Sequence, residues 1–241
     1  MQSKTTGIIL HQVKYSDNQS IVSIYTREFG RMSYVVRGAN RKKSAIRSAL
    51  LQPLSIVEID VNHNPKRDIQ NIRDMRVVVP FHQIPYDPIK NCLALFITEV
   101  LHKTLKYSEC DEDLYLFIEN SICELDRCKK GVGNFHLIFM AKLACQLGFA
   151  LDMGNKNGFK YLDLMNGIFE KQKPLHLHYI EGKAVSVFKN IFELNYNCLD
   201  ELVMNRKQRV ETLNNLVEYF RLHLPDFHSL QSIEVMKTLW D

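Results

Sequence analysis

Three prolines within nine residues, Pro80, Pro85 and Pro88 in PFHQIPYDP, rule out one continuous helix or central strand there. The hydrophobic period changes across them. Before Pro80 the apolar segments are short and rich in β-branched and aromatic residues: Gly7–Val13, Ser20–Thr26, Arg31–Val36, Ile56–Val61 and Asp68–Val79. Arg27-Glu28-Phe29-Gly30 joins the second to the third, with Gly30 placed to supply a positive φ. Along Ile56–Val61, Ile56, Glu58 and Asp60 share one face and Val57, Ile59 and Val61 the other. Five short strands in about eighty residues predict a small closed barrel, because closure removes exposed edges.

Beyond Pro88 apolar residues recur at three- and four-residue spacings, predicting helices over Ile89–Tyr107, Asp111–Arg127, Phe135–Leu147, Arg206–Leu224 and Ser229–Leu239. Phe135–Leu147 is apolar on nearly all sides, as a central helix is, and Gly148 is placed to cap it. Between Leu151 and Tyr179 the period breaks at Gly154, Gly158 and Gly167, and Phe159–Leu162 and Leu175–Ile180 predict a small hairpin. The expected fold is therefore α+β. A barrel covers 1–80, a Pro-rich linker 81–88, and a mostly α-helical domain 89–241, with the hairpin inserted at about 151–180.

The net charge of +4 conceals a division. Residues 1–80 hold 13 Lys and Arg against 6 Asp and Glu, leaving 18 basic and 21 acidic groups for the rest. Such asymmetry is a partner signal, and the partner it implies is negative. It concentrates in Arg37–Arg47, where Arg37, Arg41, Lys42, Lys43 and Arg47 follow a strand directly. Cations of this kind neutralise phosphates, and the counterions released drive association without reading sequence. Tyr15, Tyr25, Phe29 and Tyr34 interleave with Lys14, Arg27 and Arg31, and small barrels that hold single strands stack bases on such rings. Tyr34 and Phe29 are expected to be the exposed ones.

Other chemistries find little support. The sequence has no P-loop, no G-x-S-x-G elbow, no H-E-x-x-H and no dinucleotide fingerprint. No C-x-x-C pair occurs, and Cys123 and Cys128 fall on different sides of a helix. His176 and His178 share a strand face, without a carboxylate or Cys at a matching spacing, so no metal or cofactor is expected. Two other classes stay open: a metal-dependent nuclease using Glu58 and Asp60, and a scaffold whose basic barrel docks an acidic protein. The first residues carry no apolar leader, and no apolar run reaches the roughly 18–20 residues a bilayer needs. With its six cysteines in apolar helical contexts, the chain reads as cytoplasmic with reduced thiols.

Four stretches in order resemble the bacterial DNA repair protein family RecO. They are GIILHQVKYSDNQSIVSIYTREFGRMSYVVRGANRKKSA, ALLQPLSIVEIDV, FMAKLACQLGFALDM and LNNLVEYFRLHLPDFHSLQSIEVMKTL. The resemblance implies an oligonucleotide/oligosaccharide-binding (OB) barrel followed by a helical domain. It implies a recombination mediator without catalytic turnover that binds single- and double-stranded DNA and anneals complementary strands. It also implies action with RecR, often linked to RecF, in loading RecA onto strands coated by single-stranded DNA-binding protein. The helical domain would contact that coating protein's acidic C-terminal tail. Its basic R-G-A loop falls on Arg37, Gly38 and Ala39, with Arg41, Lys42, Lys43 and Arg47 following; Lys14 and Arg31 lie on neighbouring barrel segments. Many members hold zinc with two C-x-x-C pairs after the central helix, where this chain reads LDMGNKNGFKYLDLMNGIF. Zinc is therefore not expected, and the hairpin there should be held by packing alone, through Phe159, Leu162, Leu164 and Phe169.

Overall fold

The computed structural model describes residues 2–37, 50–106, 109–153 and 158–238. The chain forms two compact units, Met1–Asp126 and Arg127–Asp241.

The first unit is built on a closed five-stranded barrel. Its strands are β1 (Gln2–Ser16), β2 (Gln19–Thr26), β3 (Gly30–Arg37), β4 (Ile56–Asn62) and β5 (Ile69–Val79). They pair in the order β1-β2-β3-β5-β4. All contacts are antiparallel except β3 with β5, which run parallel over only Ser33–Val35 and Ile69–Asn71. Alternation fills the barrel: Ile9, Val22, Ile24, Tyr34, Val36, Leu51, Val57, Ile59 and Val61 form its core. Two glycines are required. Gly30 adopts φ +63° at the start of β3, where Thr26 Oγ1 donates to its carbonyl at 2.9 Å and accepts from Phe29 N at 3.1 Å. At Gly7 a Cβ would lie 2.5 Å from Ile24 Cγ2, so β1 crosses the core too closely for any side chain.

Helices α1 (Pro88–Thr104) and α2 (Glu112–Arg127) follow. Pro88 does not belong to a linker; it opens α1, where a missing N–H is harmless, behind Asp87, whose Oδ1 accepts from Ile89 N and Lys90 N. The residues before it are tied down by Asp126, which accepts from His82, Gln83 and Ile84 N–H at 2.8–2.9 Å. Lys90 Nζ donates to the Asp126 carbonyl at 2.7 Å. Burial alone would raise the Asp126 carboxyl, but these three N–H groups and the Lys90 charge hold it below the usual carboxylate value. Arg27 pairs with Glu112, and Tyr25 lies against Tyr115 with ring centroids 6.1 Å apart. By compactness, both helices fall in the same unit as the barrel, up to Asp126.

In the second unit α3 (Phe135–Gln146) is buried over almost its whole circumference and packs on α4 (Lys183–Glu193) and α5 (Arg206–His223); α6 (Ser232–Thr238) ends it. Helix α4, not among the expected helices, buries Val185, Phe188 and Ile191 on one face. The insertion is a three-stranded sheet, β7-β6-β8, made by β6 (Tyr161–Asp163), β7 (Ile168–Glu170) and β8 (Tyr179–Glu181). It contains the expected pairing and one strand more. Packing supplies part of its cohesion, with Leu162 and Leu164 buried and the Phe159 and Phe169 rings 5.7 Å apart. The expectation of packing alone fails at Asp163. That buried carboxylate accepts from Met165 N, Asn166 N and Asn166 Nδ2, and lies 3.1 Å from His176 Nε2.

Candidate nucleic-acid interface

The barrel's cations divide into those spent on structure and those presented to solvent. Arg31 belongs to the first group. Its Nε donates to Ser23 Oγ at 3.0 Å, its Nη1 to the His102 carbonyl at 2.9 Å, and its Nη2 lies 3.2 Å from His102 Nδ1. The His11 ring sits 4.7 Å from that of His102. Burial first, then the Arg31 charge and His11, push His102 down to about 4, so the imidazole is neutral and Arg31 is fixed at the end of α1. Arg31, expected as a phosphate contact, is instead taken up by Ser23 and His102.

Tyr34 is a second correction. Its register partner Val22 points into the barrel, and Tyr34 does the same, wholly buried, with burial pushing its hydroxyl up to about 12. It cannot stack on a base. Phe29 packs against the core cluster and stacks on His63 at 4.2 Å. Tyr25 is also wholly buried, which leaves Tyr15, 69% exposed, as the solvent-facing ring among the four.

Lys14 and Arg37 are exposed. Lys14 pairs with Asp17 at 3.1 Å across the β1–β2 turn, a solvated contact of small worth. Arg37 ends β3 opposite Gln19, which itself pairs with Ser16, so the β1–β2 tip and the end of β3 lie on one rim of the barrel. Just there β3 has stopped pairing with β5, and a cleft of about 400 Å³ opens between them, lined by Val36, Arg37, Leu50, Arg73 and Met75 among others. Arg73 reaches Gln2 Oε1 at 3.0 Å across β4's flank. Arg41, Lys42, Lys43 and Arg47 lie outside the described residues.

Of the two carboxylates a nuclease would use, Glu58 is held by an ion pair and Asp60 only through one oxygen. Glu58 meets Arg76 at 2.8 Å, and that hydrogen bond holds its carboxyl below the usual value; Asp60 accepts through Oδ2 from Gln2 Nε2 at 3.1 Å, while its Oδ1 is buried without a hydrogen bond to any described residue. A guanidinium in that position opposes a divalent cation. Among the described residues, no group of three or more His, Cys, Asp and Glu is arranged to hold a metal. His176 and His178 each face a separate carboxylate, Asp163 and Glu218. None of the six cysteines is in a disulfide; Cys92 is buried, whereas Cys110 and Cys145 are exposed, contrary to the helical-core expectation. Among the described residues no helix is long and apolar enough to cross a membrane.

Residues 1–81 match the family described as "Recombination protein O N terminal", and residues 85–231 match "Recombination protein O C terminal". The chain is 36% identical over 242 residues to the DNA repair protein RecO of Bacteroides fragilis, with all of both chains covered. It is 35% identical over 240 residues to that of Phocaeicola vulgatus and 31% over 242 to that of Flavobacterium psychrophilum, again with full coverage of each.

Proposed function

Because the chain belongs to the RecO family of DNA repair proteins, we propose that it is a recombination mediator that binds single- and double-stranded DNA and anneals complementary strands. The observation that carries this reading is the rim on which Lys14 and Arg37 stand exposed, at the point where the sequence runs on into Arg41, Lys42, Lys43 and Arg47. Phosphates held there by charge alone leave base edges free to pair, which is what annealing requires. The chain acts by holding strands rather than by turnover, in the cytoplasm and at the nucleoid during repair.

Its partners in this reading are a RecR-like protein, with RecF in some assemblies, and the acidic tail of single-stranded DNA-binding protein, met by the helical unit. The outcome is loading of RecA on coated strands. Annealing of complementary strands coated with single-stranded DNA-binding protein, with and without a RecR-like partner, tests it. Acceleration by the protein supports the proposal. No acceleration, or strands cut in the presence of Mg²⁺, overturns it.

A further inference from the structure

Pairing of β1 with β4 ends at Ile8 and Ile56. From His11 to Ser16 every residue of β1 is exposed, so this arm fills no core. It still carries Val13, 51% exposed, and Tyr15, 69% exposed, which stands at a register shift between Lys14 and Ser16. The register continues Val13 into Ile21 of β2 and Val35 of β3, an apolar row across three strands. Val22, Tyr34 and Val36, at alternate positions, point into the barrel, so the row lies on the outer face. Lower on that face His11 and Arg31 meet His102 near the end of α1; Ile21 and Val35 remain half-buried. A cation borders the row on the same face: Arg37, two residues beyond Val35 and in register with Gln19 and Ser16; Lys14 alternates to the opposite face with Ser20 and pairs with Asp17.

We propose that Tyr15, with the Val13–Ile21–Val35 row, is a stacking platform for unpaired bases and makes the barrel prefer single over double strands. This rests on the DNA-binding reading above. The occupant is a single-stranded nucleic acid because charge selects it. Arg37 borders the apolar row, in a first third of the chain whose 13 basic groups outnumber its 6 acidic ones. Ring and aliphatic side chains take base faces, and cations take the backbone. A duplex hides its base faces within the stack, so it gains from the cations but not from the row.

The test uses the full chain, a labelled oligo-dT strand and a mixed-sequence duplex of equal length, followed by fluorescence anisotropy. Stacking on one residue is worth about five- to hundredfold in affinity. Tyr15→Ala is therefore expected to weaken strand binding roughly tenfold and duplex binding less than about twofold. Tyr15→Trp, made with Trp240→Phe, should restore strand binding and show indole quenching on adding oligo-dT. Equal losses on strand and duplex, or no loss on the strand, overturn the platform while leaving DNA binding intact. Self-association abolished by Tyr15→Ala with unchanged strand affinity would make the row an interface between copies, also overturning it. A wild-type protein that binds neither probe refutes the DNA reading itself.

Discussion

Replacing Asp126 with Ala removes the acceptor of three backbone N–H groups at once. Their environments differ, and that sets the size of the effect. The Ile84 N–H is buried, and leaving it without an acceptor costs about 1–3 kcal/mol. His82 and Gln83 are exposed, so water replaces much of what they lose, at about 0.5 kcal/mol each. Lys90, 3% exposed, keeps its bond to the Asp126 carbonyl but loses the neighbouring negative charge. The total is a loss of about 2–4 kcal/mol in the first unit. Urea unfolding of the full chain, followed by circular dichroism, measures it. The pH dependence supplies a second check. Because the folded carboxyl titrates below its unfolded value of about 3.9, its contribution is full above that value and is lost as pH falls through the lower folded one. The gap between wild type and Asp126→Ala should therefore narrow in acid. A loss under about 0.5 kcal/mol, or a gap unchanged from neutral pH into acid, would refute the argument.

Charge reversal of Arg41, Lys42 and Lys43 together should weaken binding to all DNA sequences alike; unchanged binding in a filter or anisotropy assay would show that this segment is not the site. Tyr34→Phe should leave DNA affinity unchanged within about twofold, since the ring is buried; a loss of about tenfold would contradict its placement in the core. His102 should stay neutral down to about pH 4 in an NMR titration. Its unfolded form takes up a proton near 6.5, so stability falls as pH drops between the two; a ring titrating at its ordinary value would overturn its packing against Arg31 and His11. Gly7→Ala should destabilise by about 1–3 kcal/mol in a thermal melt, because the new methyl meets Ile24; a neutral effect would mean that β1 can shift.

The strands were legible because β-branched runs and turn residues agree locally, and each expected segment overlaps an observed one. The parallel β3–β5 closure was not legible, since nothing near either strand encodes a long-range neighbour. The grouping of α1 and α2 with the barrel was hidden for a related reason. It shows in contacts made at a distance, Tyr25 with Tyr115 and Arg31 with His102, which hydrophobic periodicity does not report. Tyr34 could have been placed correctly, because it stands two residues from Val36 on the same face. Tyr15 was legible as an aromatic but not as the exposed one, because its exposure depends on where β4 stops pairing. Helix α4 is not legible because its Val, Phe and Ile residues also suit a strand, and the nearby glycines and prolines favour turns. Cations were located by counting alone, whereas the removal of Arg31 from the candidate interface needed its hydrogen-bond partners.

The central claim is that the barrel holds DNA through phosphates. The salt dependence of oligo-dT binding by the wild-type protein tests it most directly. If the rim and the segment after it neutralise four or five phosphates, the slope of log K against log salt should be roughly −3, at about −0.7 per phosphate. A slope near zero would contradict the account.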